Sequence, residues 1–288
     1  MIKSPLRYPG GKSRAIKLIA PLVPDFSEYR EPFLGGGSLF VYLKQKYPQK
    51  KFWINDIYEN LFLFWKYVQE NPDKLLSRIN FYKGNFNDGK RLFEYLTGNI
   101  NAFDEVEKAA AFFVFNRITF SGTTESGGFS KAAFEKRFTS SSIERVKALS
   151  QIMENVKITN SDYREVVEAK GENVFIFLDP PYFSATKSAL YGKNGVLHKN
   201  FDHERFASVL KNVKHKWLIT YDDSDYIKEL FSFANIKTWK QVYGMRNVNG
   251  NGNQKENELF ISNYDFNEMI SQPSLFDTKQ NSGINIAS

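Results

Sequence analysis

The stretch Val174-Phe-Ile-Phe-Leu-Asp179-Pro180-Pro181-Tyr182 decides the fold class of this 288-residue chain. Its five apolar residues are typical of a buried strand, and the two prolines end the strand because they have no N–H to donate. In an open α/β sheet, ligands bind at the carboxyl ends of the strands. The pattern therefore predicts that Asp179 and Tyr182 face a site suited to a flat base. A strand followed by a proline-rich turn that begins with Asp by chance is the alternative.

The composition predicts a protein with a large hydrophobic core and no metal centre. Hydrophobic residues make up 42% of the chain and charged residues 25%, as in globular proteins. The absence of Cys excludes disulfides, thiolate metal sites and cysteine nucleophiles, and only three His argue against a histidine metal site. Because the amino terminus lacks a signal region and the longest apolar run, Ala109–Phe115, cannot span a bilayer, we expect a cytoplasmic protein without membrane contact.

The net charge of +7 is unevenly distributed. Residues 111–150 carry six Lys or Arg against three acidic residues, and residues 183–220 carry seven against two. From residue 251 onward there are two Lys against five acidic residues. Basic stretches of this kind indicate a polyanionic partner, although a solvated lysine-rich surface would give the same counts.

The first motif is Arg7-Tyr8-Pro9-Gly10-Gly11-Lys12-Ser13, which contains the Gly-Lys-Ser of a phosphate-binding P-loop. That interpretation fails because Leu6 stands where the first glycine is required and no buried strand precedes the motif. What remains is a glycine turn that opens an amphipathic helix extending through Ile19. Lys12, near the start of this helix, can bond a carboxylate or a phosphate.

The second motif predicts a nucleoside-binding turn. Tyr29-Arg30-Glu31 reads as a short strand, and the glycines at residues 35–37 let the backbone approach a nucleoside closely. About twenty residues later, the strand Lys51-Phe-Trp-Ile-Asn55 ends beside Asp56, where an acid can bind ribose hydroxyls. The glycine spacing is not that of a dinucleotide fold, so we favour another adenosine-containing cofactor.

Residues 59–154 have the apolar spacing of helices. Within them, Phe115–Lys131 is polar and glycine-rich, which predicts a hairpin or ordered loop instead. Short hydrogen-bond donors alternate there with basic and aromatic side chains, a pattern suited to phosphates and base edges. A purely structural loop that ties helices together is the alternative.

The remaining chain completes an α/β pattern. The further strands predicted are Asn155–Thr159, Lys216–Tyr221, and a closing hairpin of Ile236–Val242 with Glu258–Ser262. Asp162 and Tyr163 form a second pair of acid and aromatic ring at a strand end, and Ser184–Asn200 is predicted to be a lid or DNA-facing loop. Because hydrophobic periodicity ends near Asp265, residues 265–288 are predicted to be a disordered tail.

With these motifs in order, the chain resembles the Dam-type (D12 class) site-specific DNA adenine-N6 methyltransferases from Leu6 to about Tyr264. The matching motifs are Arg7–Lys12, Glu31–Ser38, Asn55-Asp56, Phe115-Asn116-Arg117, Asp179–Tyr182 and Glu258–Ile261. The resemblance implies an α/β, Rossmann-like S-adenosylmethionine-dependent methyltransferase fold with a mainly helical target-recognition domain inserted. Residues 1–58 and 155–264 would form the catalytic and cofactor-binding domain, and residues 59–154 the DNA-binding insertion.

The resemblance also implies the activity, which is methyl transfer from S-adenosylmethionine to N6 of a flipped adenine in double-stranded DNA. The Asp179 side chain and the Pro180 carbonyl would accept the two amine hydrogens, and Tyr182 would stack on the base. The residues expected to bind the cofactor are Tyr8, Lys12, Phe33, Gly35, Gly37, Asp56, Asp162, Tyr163 and Asp179. The residues expected to contact DNA are Arg117, Phe120, Ser121, Thr123, Glu125, Lys131 and Arg137. Such an enzyme is expected to associate with the nucleoid.

The recognition loop departs from the family at Glu125. Family members that methylate GATC have a basic residue near this position. A glutamate cannot donate to guanine, although it can accept from cytosine, so we do not infer GATC as the target. Phe120 remains the candidate for insertion into the duplex beside the flipped base.

The tail suggests a second partner. Gln272-Pro-Ser-Leu275-Phe276 resembles the short peptides that bacterial sliding clamps bind, which predicts a contact through Gln272, Leu275 and Phe276.

Two other functions fit parts of the chain. An RNA or protein-amide methyltransferase would have the same fold, but Asp rather than Asn at position 179 favours adenine. A catalytically idle DNA-binding regulator would have a damaged cofactor motif, and none is visible in the sequence.

Overall fold

A computed structural model of the chain describes residues 1–8, 10–124, 127–184, 201–242 and 255–271. The strands are β1 Glu28–Glu31, β2 Lys51–Asn55, β3 Val156–Thr159, β4 Val174–Leu178, β5 Lys216–Asp222, β6 Asn235–Val242 and β7 Lys255–Ser262. The helices are α1 Ile16–Ile19, α2 Ser38–Lys46, α3 Glu59–Glu70, α4 Pro72–Asn85, α5 Gly89–Asn99, α6 Glu105–Ile118, α7 Lys131–Arg137, α8 Ser140–Ser150, α9 Tyr163–Glu168, α10 His203–Asn212, α11 Asp225–Leu230 and α12 Phe266–Ser271.

The strands form one sheet in the order β3-β2-β1-β4-β5-β7-β6. Neighbouring strands from β3 to β5 are parallel, whereas β7 is antiparallel to both β5 and β6. All five residues of β4 are buried, as its unbroken apolar sequence predicts. The order of connections reverses between β1 and β4, so a crevice opens at their carboxyl ends. This confirms the predicted Rossmann-like α/β class.

Helices α3 to α8 lie between β2 and β3 in the chain, which confirms that residues 59–154 are mainly helical. The expectation of a loop from Phe115 onward was wrong for its first four residues, since α6 continues to Ile118. Asn116 and Arg117 are polar but buried, so they extend the helix instead of ending it. The amphipathic helix expected after Lys12 consists of two 3₁₀ turns around the four-residue α1.

The hydrophobic core on one face of the sheet continues into these helices. It joins Phe52 and Phe175 of the strands to Phe64, Phe113 and other buried residues of α3 to α8. The second core, on the opposite face, contains residues of β4, β5, α10 and α11. The division of the chain at residues 58/59 and 154/155 therefore stays a prediction, because one continuous core crosses it.

The chain after β7 forms α12, and Phe266 is buried against the main core. The expectation of a disordered tail is therefore wrong for residues 266–271. The predicted clamp-binding residues Gln272, Leu275 and Phe276 lie outside the described residues, as do Glu125 and residues 185–200 of the predicted lid. Among the described helices, none is both long and apolar enough to cross a membrane.

Candidate active site

Asp179 follows β4 at the crevice, where Lys12 and Thr220 hold its carboxylate. We call these three residues the Asp179 clamp. The Lys12 ammonium donates to both carboxylate oxygens at 2.8 and 2.9 Å, and the Thr220 hydroxyl donates to Oδ1 at 2.8 Å. The Lys12 side chain is 4% exposed and the Asp179 side chain 24% exposed. A carboxylate has about four lone-pair sites, and these three hydrogen bonds leave one on Oδ2. The site can therefore accept one further donor at the surface of the crevice.

Tyr182 is fixed at the other end of the Asp-Pro-Pro-Tyr turn. Its hydroxyl donates to Glu258 of β7 at 2.9 Å, and the Lys12 ammonium lies 5.0 Å from its ring centroid. The Asp222 carboxylate accepts from the backbone N–H groups of Phe183 and Ser184 at 2.9 and 3.1 Å. Side chains of strands β5 and β7 therefore hold the turn that follows β4. The position of the Tyr182 ring depends on the order in which these strands pair in the sheet.

The glycine turn after β1 is braced by Asp56. The Asp56 carboxylate accepts from Gly35 N at 2.9 Å and from Tyr58 N at 3.0 Å. Gly35 has φ of +48°, and a Cβ there would lie 2.8 Å from the Tyr8 ring. Gly37 has φ of +59°, and a Cβ there would lie 2.8 Å from the ring of Trp65. Both positions require glycine, so Tyr8, the turn and Asp56 form one packed unit.

Three carboxylates gather at the ends of β1, β2 and β4. Glu31 is buried and accepts from the Tyr29 hydroxyl at 2.5 Å. Burial, with Asp179 and Asp56 nearby, raises the pKa of Glu31 to about 8, and burial raises the pKa of Asp56 to about 6. Within the described ranges no three such groups are placed to hold a metal ion. A bound organic cation would relieve this concentration of acid.

A second aromatic and acidic region lies at the end of β3. The Tyr163 ring stacks on Phe33 with centroids 5.4 Å apart. Asp162 caps α9 and accepts from N and Nε of Arg164 at 3.0 and 2.8 Å. The hydrogen bond from the Arg164 side chain is the main reason that the pKa of Asp162 is lowered. The structure therefore brings Phe33 and Tyr163 together, while Asp162 is half-exposed and paired.

Residues 119–124 of the predicted recognition loop form a turn after α6, and residues 127–130 bond back to it and to α6. An isolated bridge joins Thr119 to Phe129, and the Thr123 hydroxyl donates to the Phe120 carbonyl at 2.8 Å. The Phe120 side chain, next to the bridge residue Thr119, is 61% exposed. Ser121 has φ of +53°, a left-handed conformation that is uncommon for serine. Lys131 and Arg137, at the two ends of α7, are exposed.

Arg117 was expected to contact DNA, and its side chain is 3% exposed in this structure. It lies in the last turn of α6 with its guanidinium 5.4 Å from the Phe113 ring. Its neighbour Asn116 accepts from Arg7 N at 2.9 Å and donates to the Arg7 carbonyl at 2.6 Å. The Phe115-Asn116-Arg117 motif thus joins the amino-terminal motif to the recognition loop from inside.

Four polar residues of the site were not assigned a role from the sequence. They are Glu31, Asn55, Thr220 and Glu258. Asn55 donates to the Pro32 carbonyl and accepts from Ser161 N, so it joins the ends of three strands. Glu31, Asn55 and Glu258 stood within quoted motifs, and for Glu31 and Asn55 the position at a strand end was a usable signal. Thr220 carried no local signal, because its contact with Asp179 depends on the pairing of β4 with β5.

Comparison with known proteins gives a consistent result. The family model of the D12 class N6 adenine-specific DNA methyltransferases matches residues 8–245. The type II methyltransferase M.MjaIII of Methanocaldococcus jannaschii is 28% identical, with 91% of this chain and 99% of that protein aligned. M1.LlaDCHI of Lactococcus lactis subsp. cremoris is 25% identical over 90% and 94% of the two chains. M.CviBI of Paramecium bursaria Chlorella virus NC1A is 24% identical over 91% and 100%.

Proposed function

Since the chain belongs to the D12 class of N6 adenine-specific DNA methyltransferases, we propose that Asp179, Pro180 and Tyr182 hold an adenine of double-stranded DNA while its N6 is methylated. The observation that carries this proposal is the Asp179 clamp. Its carboxylate is held by Lys12 and Thr220 at the mouth of the β1/β4 crevice, with one lone pair open.

The chemistry required of these residues is to activate a weak nucleophile. The lone pair of the adenine amine is delocalised into the ring. The open Oδ2 position of Asp179 and the Pro180 carbonyl are two acceptors for the two amine hydrogens, and accepting both favours a more tetrahedral nitrogen. In the transfer the N6–methyl bond would form while the methyl–sulfur bond of the donor breaks to leave a neutral thioether, so N6 keeps both hydrogens and becomes cationic. One of these hydrogens, bonded to the Asp179 carboxylate, would then be lost to water as a proton. Alignment of the reacting atoms supplies much of the remaining rate enhancement.

The cofactor proposed is S-adenosylmethionine, and the described residues fit it. When bound, it supplies an electrophilic methyl group on a sulfonium. Its methionine part and sulfonium together carry a net positive charge, which suits the carboxylates of Asp56 and Asp179. Tyr8, Lys12, Gly35, Gly37 and Asp56 would hold the methionine and ribose side. Phe33, Asp162 and Tyr163 would hold the adenine side.

Base flipping is the step that the duplex makes necessary, because stacked neighbours block the approach to N6 perpendicular to the adenine ring and base pairing engages one amine hydrogen. The Tyr182 ring would stack on the extruded base beside Asp179, a role that its fixed place after β4 supports. Phe120 is a large apolar side chain that is 61% exposed, and it is suited to fill the space that the base leaves. Ser121, Thr123, Lys131 and Arg137 are proposed to contact the surrounding DNA, as is Glu125.

The test is to substitute Asp179, the carboxylate that the clamp holds. We expect Asp179→Ala to lower the rate of tritium transfer from labelled S-adenosylmethionine to mixed-sequence DNA by at least about 100-fold. Equilibrium binding of the same DNA should change by less than about threefold, because the phosphate contacts are elsewhere. Asp73→Ala, which removes an exposed carboxylate on α4, is the matched control and should retain full activity. Nucleoside digestion must place the label on adenine N6; label on cytosine, or an active Asp179→Ala, would contradict the proposal.

A further inference from the structure

His203 is a buried polar residue next to the proposed adenine site, and it belongs neither to the Asp179 clamp nor to the proposed cofactor contacts. It is the first residue of α10 and is 7% exposed. Its ring meets those of Phe201 and Phe183 edge to face, with centroids 5.1 and 5.6 Å apart. Because Phe183 directly follows Tyr182, His203 packs against the chain that carries the proposed base-stacking ring.

The imidazole forms a hydrogen-bonded pair with a tyrosine of β5. Nδ1 of His203 bonds the hydroxyl of Tyr221, which is fully buried in the second core. Burial lowers the pKa of His203, although the carboxylates of Asp222 and Asp202 oppose this effect. Burial also raises the pKa of Tyr221. Both groups are therefore neutral at pH 7, and the pair is held by a hydrogen bond without an ion pair.

Tyr221 connects this pair to the Asp-Pro-Pro-Tyr turn. Its ring lies 5.9 Å from that of Tyr182, with 32° between the ring planes. Thr220, the residue before it on β5, donates to Asp179. Asp222, the residue after it, accepts from the two backbone N–H groups that follow Tyr182. Three consecutive residues of β5 therefore hold the turn, and Tyr221 is the one that supports the ring of Tyr182.

The second imidazole nitrogen, Nε2, is buried and has no hydrogen-bond partner within the described residues. A buried polar atom without a partner costs free energy. Leucine or phenylalanine would fill a space lined by Phe183, Phe201 and Tyr221 without that cost. Core packing alone does not explain a histidine at this position, whereas a need to hold the Tyr221 hydroxyl does.

We propose that His203 is a positioning residue for the methyl transfer, and that it acts by fixing Tyr221 against the ring of Tyr182. This inference rests on the proposed function, in which Tyr182 stacks on the target adenine. The hydrogen bond keeps the Tyr221 ring from shifting along that of Tyr182, so a stacked base lies at one position relative to the Asp179 carboxylate. A small displacement of the base would take N6 out of line with the methyl group and lower the rate.

The experiment measures single-turnover methyl transfer to mixed-sequence DNA with substitutions of the pair. An excess of enzyme over the methylated sites, counted from the plateau of incorporated label, keeps product release out of the measured rate. His203→Leu removes both nitrogens at similar volume, and Tyr221→Phe removes only the hydroxyl. His203→Asn keeps a polar atom near the place of Nδ1. His215→Leu is the control, because His215 directly precedes β5, at the end of the strand remote from the crevice.

We expect His203→Leu and Tyr221→Phe each to lower the rate constant about tenfold. The concentrations of DNA and of S-adenosylmethionine that give half the maximal rate should change by less than about twofold, because the pair affects alignment and not binding. The double variant should be no slower than the slower single variant, since both substitutions break the same hydrogen bond. His203→Asn should recover most of the loss, and His215→Leu should match the wild-type rate.

Melting temperatures distinguish positioning from damage to the core. The double variant replaces both partners of the hydrogen bond and the unpaired Nε2 by apolar groups, so it should melt at or above the wild-type temperature while remaining slow. A wild-type rate in His203→Leu, a double variant whose loss is the product of the single losses, a double variant that melts lower, or an Asn variant no faster than the Leu variant would each overturn the proposal. If the His203 variants do not fold, Tyr221→Phe, which keeps the ring, still decides.

The wild-type reaction separates this inference from the proposed function. Wild-type protein that labels adenine N6 no faster than His203→Leu and Tyr221→Phe would refute the positioning role and leave the function standing. Wild-type protein that transfers no label to adenine N6 would refute the function and this inference with it.

Discussion

Glu31 shows how a single buried side chain can make stability depend on pH. Its pKa is about 8 in the folded protein, against an ordinary value of 4.5. Between these values the unfolded chain loses the proton and the folded chain keeps it. The free energy of unfolding therefore falls as the pH rises from about 4.5 to 8 and levels off above that, with a contribution of up to about 1.4 kcal/mol per pH unit.

We predict that Glu31→Gln removes this contribution, because glutamine resembles the protonated acid and still accepts from Tyr29. Urea unfolding of both proteins without cofactor, at pH 5 and at pH 8.5, measures the effect. The variant should gain stability relative to wild type by a few kcal/mol between the two pH values. Parallel pH curves for the two proteins would show that Glu31 does not titrate in this range.

Sequence motifs located some of the interacting side chains and not others. Lys12 and Asp179 stand in two contiguous motifs and meet in the structure as an ion pair, and Asp56, from a third motif, accepts from Gly35 N in the glycine turn. The contacts of Thr220 and Glu258 depend on which strands pair and in what register. Short sequence patterns do not contain that information, so these contacts could not be predicted. Arg117, which the resemblance assigned to DNA contact, is 3% exposed in the last turn of α6, and its local sequence pattern contained no signal for this burial.

The recognition turn illustrates how one backbone position can control an element. Gly122 has φ of +76°, and a Cβ there would lie well inside van der Waals contact distance of the Arg7 carbonyl oxygen and 3.1 Å from the Asn116 amide nitrogen. Neither the backbone oxygen nor the buried amide can move without breaking the hydrogen bonds that attach the amino-terminal segment to α6. The turn and the segment therefore form one joint.

We predict that Gly122→Ala lowers the free energy of unfolding by about 1–3 kcal/mol, from the left-handed backbone and the clash together. Thermal or urea unfolding measures this. Gly98→Ala is the matched control, because Gly98 lies in α5 with nothing within 4 Å of an added Cβ and should be neutral or stabilised by up to about 1 kcal/mol. Equal effects of the two substitutions would mean that the joint is not rigid.

At the level of elements, prediction succeeded where apolar periodicity was strong. Strand β4 and helices α3 and α6 follow directly from their buried residues. It failed where buried polar side chains find hydrogen-bond partners within the protein. Asn116 is an example, since its side chain makes three hydrogen bonds to backbone groups and can therefore be buried. It also failed after residue 265, where packing of Phe266 on the core orders a short helix that has no periodic signal.

The chain leaves the sheet after β2 and returns to it at β3, with helices α3 to α8 in between. These helices and the sheet share one continuous hydrophobic core. Helix α3 belongs to the insertion by sequence, yet Trp65 of that helix packs on Gly37 and its indole N–H donates to the Gly35 carbonyl at 3.4 Å. Helix α3 therefore helps to hold the glycine turn at residues 35–37, which is proposed to bind the cofactor. A substitution that destabilises helices α3 to α8 should also affect this turn through the shared core.

Because one core crosses the predicted domain boundary, we predict that the described part of the chain unfolds in one cooperative transition. Helical circular dichroism reports mainly on α3 to α8, and tryptophan fluorescence includes Trp217 and Trp239 of the distant strands β5 and β6, so urea midpoints from the two signals should coincide. Ile79→Val in α4, a fully buried position, should lower both midpoints equally, by the equivalent of about 1 kcal/mol. Ile176→Val in β4 is the control from the sheet and should do the same. If the Ile79 substitution lowered only the midpoint measured by circular dichroism, residues 59–154 would be an independent folding unit. The contact of Trp65 with the glycine turn would then be too weak to couple the proposed DNA and cofactor sites.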